Sequence, residues 1–300
     1  YYMGFNMLDP VVGGRTDQEK AAARKLRQAI SIAVDYEEYV SIFANGRGIP
    51  AQGPIPPGIM GYREGKEGMN DIVHQWIDGR IKRRSIEEAK KLLAEAGYPD
   101  GIDIKTGAPL VLYFDATSRS ADDKSILDWM RKQFKKINIQ LVVRSTDYNR
   151  FQDKMRKGNA QIFEWGWNAD YPDPENFFFL LYGPQSKAGN HSGNNAANYD
   201  NPEYNQLFER MEKMDNGPER QAIIDQMVEI LRYDAPWLWG YHPKDYALYH
   251  AWFQNVKPNK MSYNNMKYLR INAELRERKQ SEWNQPVLWP IGLAVIILML

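Results

Sequence analysis

Residues 109–165 read PLVLYFDATSRSADDKSILDWMRKQFKKINIQLVVRSTDYNRFQDKMRKGNAQIFEW, and the hydrophobic period switches repeatedly along them. Residues 109–115 read as a strand. Residues 120–136 place Ile126, Met130 and Phe134 in helical register, and 138–144 return to strand character. Residues 148–157 are helical again, and 160–165 form a third strand. Strand–helix–strand–helix–strand with such short links implies right-handed crossovers and a parallel sheet covered by helices, so the fold class is α/β.

Upstream, Ser85-x-x-Glu88 is a capping box that opens a helix with Ala89, Leu92, Leu93 and Ala96 inward and Gly97 as its stop. Thr16-x-x-Glu19 is a second box. The helix behind it carries Leu26, Ala29, Ile30, Ala33 and Val34 on one face, and Asp35 caps a shorter helix that stops at Asn45-Gly46. Residues 48–62, GIPAQGPIPPGIMGY, are too dense in Pro and Gly for regular structure and are expected as a loop. The opening YYMGFN reads as a strand. Downstream, 165–201 has little periodicity. Pro202 then sits at the first position of a helix with Tyr204, Leu207, Phe208 and Met211 inward. A helix over 219–233 buries Ile223, Met227 and Leu231, 237–249 gives one or two strands, and 266–271 is a last extended piece.

Hydrophobic residues make up 43% of the chain and charged residues 26%, a globular balance. The formal net charge of +1 gives no pull toward nucleic acid or anionic membrane, and the basic runs Lys82–Arg84, Lys135–Lys136 and Arg276–Lys279 read as solvated helix faces. With no cysteine there is no disulfide, zinc knuckle or thiol nucleophile, a composition that suits periplasm and cytosol alike. The chain opens without an initiator Met or signal peptide and closes inside the apolar run VLWPIGLAVIILML of residues 287–300. It is therefore expected to be a fragment of a longer protein.

Ligands of open α/β sheets bind beyond the carboxyl ends of the parallel strands. The third strand ends in Trp165-Gly166-Trp167-Asn168-Ala169-Asp170-Tyr171-Pro172-Asp173-Pro174-Glu175-Asn176-Phe177. Rings there offer apolar walls with polar edges, and a carboxylate can hold an ammonium. The same composition also fits a structural loop whose tryptophans plug the sheet end. The four histidines (His74, His191, His242, His250) are scattered without metal-ligand spacing. Glu164 and Asp170 make a candidate acid and base without a nucleophile motif, and there is no GxSxG, P-loop or GxGxxG after a strand. The chain reads as a binder with no cofactor, not an enzyme.

Five segments carry a family resemblance. Residues 25–35, KLRQAISIAVD, resemble the helix "LRQAI…AID" of the oligopeptide/dipeptide-binding family of ABC-importer solute-binding proteins. Residues 48–58 are similar to its loop "G.PA.GPIPPG", and 166–177 to its segment "GW.ADYPDP.NF". Tyr199–Tyr204 is similar to the "Y.NPEYD" helix start, and Asp234-Ala235-Pro236 to a later "DAP" element. The motifs follow the family's order over residues 1–272.

The resemblance implies the two-lobed, type II periplasmic-binding-protein fold, here mainly its second lobe, with an apolar C-terminal tail. Residues 1–13 would be an interlobe crossing strand, 14–245 the second lobe, 246–272 the return toward the first lobe, and 273–300 a linker and apolar tail. It implies a periplasmic or extracytoplasmic protein that delivers a peptide or other small solute to an ABC permease and ATPase complex. Asp170 would pair with a ligand's α-ammonium, with Trp165, Trp167, Asn168 and Tyr171 around it. Relatives that bind nickel chelates, opines or sugars share the scaffold, and an enzyme or sensor on it is a further alternative. The fourteen-residue tail is shorter than the ~20 residues of a bilayer span, and a continuation would make it an inner-membrane anchor.

Overall fold

The computed structural model describes residues 1–117, 122–257 and 264–299. The expected helix start at Ser120, part of the 246–272 segment and Leu300 lie outside them. The chain divides into two units, Tyr1–Lys244 and Asp245–Leu300.

The first unit opens with β1 (Tyr2–Phe5), buried along its length. Helix α1 (Asp17–Ala33) starts with a closed capping box: Thr16 Oγ1 accepts from the Glu19 amide at 3.2 Å, and Glu19 Oε2 accepts from the Thr16 amide at 3.1 Å. Its stripe Leu26, Ala29, Ile30 and Ala33, with Val34 beyond, is buried. Asp35 caps α2 (Tyr36–Phe43) by accepting from the Glu38 amide at 2.9 Å. The 48–62 stretch is not wholly irregular, because Gly48–Pro50 is a short strand, β2, antiparallel to Tyr241–Pro243. A two-stranded ribbon tolerates prolines at its corners, and Pro50 and Pro243 sit at diagonal ends of this one.

A one-turn helix, α3 (Gly65–Gly68), precedes a hairpin of β3 (His74–Ile77) and β4 (Arg80–Arg83). Its turn is Asp78-Gly79, both at positive φ (53° and 73°), the type I′ geometry that matches strand twist. The hairpin corrects the reading of Lys82–Arg84 as a solvated helix face. Arg83 lies on a strand, with Nη2 2.5 Å from Glu37 Oε2. Its Nη1 donates to the Ser31 and Ile32 carbonyls at 2.9 and 3.1 Å, so it satisfies last-turn carbonyls of α1.

Helix α4 (Ile86–Glu95), opened by the Ser85 box, leads to β5 (Val111–Thr117), α5 (Asp122–Lys135), β6 (Gln140–Thr146), α6 (Tyr148–Arg156) and β7 (Ile162–Trp165). The unit is completed by α7 (Glu175–Phe178), α8 (Pro202–Met211), α9 (Pro218–Asp234), β8 (Trp237–Trp239) and β9 (Tyr241–Pro243).

The main sheet has the order β6-β5-β7-β1-β8. Strand β5 runs parallel to both β6 and β7, as the alternating periods require. Strand β1 runs antiparallel to β7 and β8, so the whole sheet is mixed. Strands tied by a short helical crossover run parallel, and β1, separated from β7 by most of the unit, has no such tie. Alternation along the strands builds two cores. Met3, Phe5, Phe114, Ile162 and Leu238 join residues of α1, α4 and α5, while Tyr2, Phe163, Trp237 and Trp239 join residues of α6, α8 and α9.

In the second unit β10 (Phe253–Gln254) pairs antiparallel with β11 (Arg270–Ile271), and a 3₁₀ turn at Met266–Tyr268 replaces the start of the expected extended piece. Trp252 is buried between His250, at 4.1 Å, and Trp283, at 5.3 Å. Trp283 ends α10 (Ala273–Trp283), and α11 (Trp289–Met299) follows, apolar round its circumference and exposed. Among the described residues no helix is long and apolar enough to cross a membrane.

Candidate ligand-binding cleft

Strand β7 ends at Trp165, and the chain turns across the carboxyl edge of the parallel strands before entering α7. A cleft of about 430 Å³ opens there, lined by Trp165, Trp167, Asn168 and Asp170. Tyr148 and Arg156 from α6, and Lys187 and His191 from the loop before α8, line the same cleft. Four of the five residues expected at the site thus line one cleft. Tyr171 is not among the lining residues; it is 43% exposed, and its hydroxyl donates to the Glu175 carboxylate.

Trp165 is half-buried, its ring edge-on to Phe151 at 5.2 Å. Trp167 packs edge-on against Phe179 at 5.4 Å, and its Nε1 donates to Asn176 Oδ1 at 3.0 Å. Asn176 Oδ1 also accepts the Asp170 amide at 2.9 Å, and Asn176 Nδ2 donates to Asp170 Oδ2 at 3.3 Å. One buried amide, 2% exposed, therefore fixes both a wall ring and the carboxylate. Asn168 and Asp170 are exposed at the mouth.

The loop is held from behind by Asp173. Arg220 on α9, 4% exposed, donates Nη1 to Asp173 Oδ2 and Nη2 to Oδ1, both at 2.7 Å. It also donates Nε to the Met211 carbonyl at 3.0 Å. Burial pushes the Asp173 carboxyl pKa up, but the paired guanidinium bonds outweigh it and hold the group below the usual carboxylate range. Of the two aspartates in the run, Asp173 is braced and Asp170 faces the cleft.

The candidate acid–base pair is not assembled on one face. Trp165 turns toward the core of α6, α8 and α9, so its neighbour Glu164 turns to the opposite side of β7, where burial raises its carboxyl pKa. Among the described residues no group of three or more His, Cys, Asp or Glu could hold a metal ion. The cleft offers aromatic walls, a carboxylate and two cations, which suits noncovalent capture of a small charged solute.

Asn176, Tyr148, Arg156 and Lys187 escaped the sequence reading. Asn176 stands inside the run quoted for the site, so its position was a usable signal. Arg156 and Lys187 belong to segments with no motif, and only the fold carries them to Trp165.

Residues 1–189 match the family described as bacterial extracellular solute-binding proteins, family 5 Middle. The chain is 28% identical over 224 residues to heme-binding protein A of Haemophilus influenzae, covering 74% of this chain and 37% of that protein. It is 26% identical over 213 residues to the dipeptide-binding protein of Escherichia coli, covering 71% and 36%. The solved structure of the oligopeptide-binding protein AppA of Bacillus subtilis, in complex with a nonapeptide, superposes with a TM-score of 0.68 at 21% identity. That match covers 90% of this chain and 50% of AppA, a likeness that shows the shared type II periplasmic-binding-protein fold. The curated relatives are matched over only 35–40% of their own length. The match over residues 1–189, the motif order and the mixed sheet with its edge cleft agree, and the chain belongs to the bacterial extracellular solute-binding proteins of family 5.

Proposed function

We propose that the full-length protein is the substrate-capturing component of an ABC importer, taking di- or oligopeptides into a cleft of which this chain supplies one wall. The observation that carries the reading is the cleft edge itself, where Trp165 and Trp167 flank an Asp170 positioned by Asn176. Asp170 would hold the peptide's ammonium, the tryptophans and Asn168 the adjoining backbone, and Tyr171 the outer rim. The protein acts by binding and release without turnover, outside the cytoplasmic membrane, and hands its ligand to a permease and ATPase. Residues 1–13 and 246–272 would be the crossings to the other lobe. In support, Gly240 N donates to Tyr1 O at 3.2 Å, so the paths into and out of the first unit lie side by side.

Mass spectrometry of ligands released from the full-length protein, followed by calorimetry with the peptides found, tests this. Recovery of peptides that bind and are returned intact is the expected result; hydrolysed peptide, or no peptide affinity, would refute it. A second reading, a non-peptide solute in the same cleft, is favoured by the 28% identity to a heme-binding protein. The same mass spectrometry separates the two. The exposed α11, with Trp289 at its first position, supports membrane attachment of the tail. Full-length protein should then stay with membranes after a salt wash, and complete recovery in the soluble fraction would rule the attachment out.

A further inference from the structure

The β3–β4 hairpin stands apart from the main sheet as a two-stranded sheet of its own. Such a hairpin is marginal in water unless something holds it, and this one is fastened at its base. His74, 3% exposed, lies with Nε2 2.8 Å from Glu37 Oε1, and Arg83 bonds the same carboxylate. The Arg84 amide donates to the Val73 carbonyl at 2.9 Å, and Arg84 Nε to the Asp71 carbonyl at 3.0 Å. One step outward the burial reverses. Trp76 and Ile81 stand directly opposite each other, two residues on from the buried pair of His74 and Arg83 and so on the same side of the ribbon. Yet they are 38% and 37% exposed, and neither joins a core among the described residues. Burying a cross-strand Trp–Ile pair is favourable, and this fold presents it to solvent on a fixed support.

The charges at the tip have a net positive sign. Arg80 is exposed and forms no ion pair among the described residues. Lys82 meets the hairpin's own Asp78 at 3.3 Å, with both side chains well in solvent, where such a pair holds little. The base of the hairpin fixes its place in the unit. Val73, His74 and Arg83 line a small cavity together with Trp239 and Gly240. Trp239 pairs with Tyr2, whose other partner is Trp165, and both Tyr2 and Trp165 line the ligand cleft. The hairpin therefore stands at the sheet edge where the cleft opens. A partner that takes up the released solute must sit at that edge.

We propose that the tip of the β3–β4 hairpin is a docking surface for the membrane permease. Trp76 and Ile81 fill an apolar socket, and Arg80 and Lys82 meet carboxylates on its rim. A Trp anchor beside an Arg is the composition of interface hot spots, and rim charges steer the approach. Because the base is already latched, docking orders little new chain. The inference rests on the importer reading, and adds to it the surface by which the solute is handed on.

The test is photo-crosslinking with the full-length protein in the cells that encode it. p-Benzoylphenylalanine is placed at Trp76 and, as a control, at Ile104, which is 67% exposed ahead of β5 at the opposite edge of the sheet. Position 76 should give a product with a multispanning permease subunit, identified by mass spectrometry, that position 104 does not give. Arg80→Glu combined with Lys82→Glu should lower its yield roughly tenfold. The same double variant, purified, should keep its affinity for the solutes recovered from the wild type within about twofold, the ordinary effect of a surface change. No product, equal products from both positions, or products only with lipid or with the protein's own other lobe would overturn the docking surface. The importer reading would still stand if peptides are recovered, bind and return intact. A product with a membrane protein that is no transporter subunit would overturn both.

Discussion

Asp170 ties Oδ2 to Asn176 and leaves Oδ1 without a hydrogen bond among the described residues, so an ammonium bound as proposed would meet an open acceptor in a cleft that two indole rings also line. Asp170→Asn keeps the shape and the acceptor but removes the charge. Crossing that change with N-acetylation of the peptide in the full-length protein should give a coupling energy of about 2 kcal/mol, the lower end for a closed charge pair because Asp170 sits at the mouth. A coupling near zero would leave Asp170 as a turn residue. Asp173 makes a contrasting case. Asp173→Asn leaves the Arg220 guanidinium, 4% exposed, without its countercharge and without one of the two carboxylate oxygens it bonds. The expected loss is on the order of 3 kcal/mol, read as a lower urea midpoint at unchanged slope. The folded-state pKa of Asp173 is depressed, so its contribution is complete above the unfolded value of about 3.9 and is lost as pH falls through the lower folded value. The Asn variant should therefore approach the wild type in strong acid, and an unchanged midpoint at neutral pH would contradict the assignment.

Strand β1 shows what one missing side chain does to an element. Gly4 is paired with Phe163, and a Cβ on Gly4 would lie 2.3 Å from Phe163 Cζ, inside contact distance of the ring. Gly4→Ala should cost about 1–3 kcal/mol, the usual range for overpacking, and Phe163→Leu in the same chain should cost less than the separate changes summed. Thermal unfolding of the three variants checks this, and a Gly4→Ala protein as stable as the wild type would sink it. The same strand marks where sequence reading stops. The boxes at Thr16 and Ser85 and the stripes of α1, α8 and α9 are local, set by residues three or four apart, and were legible. The Asp78-Gly79 hairpin was equally local; its signal is present in the residues and passed unread. The direction of β1 was not legible, because it depends on partners more than 150 residues away at 162–165 and on Trp237–Trp239. In the cleft the aromatic and acidic run announced itself, whereas Lys187 reaches Trp165 from an aperiodic loop, and no pattern encodes that meeting.

At the scale of the molecule, the proposed function makes this chain one wall of a larger cleft. Asn168 and Asp170 are exposed in this chain, and the relatives it matches extend over more than twice the aligned length. Small-solute sites bury 70–90% of the ligand, and hinge closure of a second lobe would supply the remaining surface and exclude water. A peptide on the 1–300 chain would keep one side in solvent. Its ammonium would then face Asp170 at near-bulk dielectric, where a charge pair at 4 Å is worth about 1 kcal/mol and salt screens it further. On the proposed function, the full-length protein would close over the same residues, desolvate both partners and gain the contacts of an opposite wall. Calorimetry of the 1–300 chain against the full-length protein, with circular dichroism to verify that both are folded, should show the shorter chain weaker by about two orders of magnitude or more, some 3 kcal/mol. It should also show a smaller negative heat-capacity change, since less apolar surface is buried on binding. Equal affinities and equal heat-capacity changes would mean that residues 1–300 hold the whole site and that the two-walled cleft is wrong.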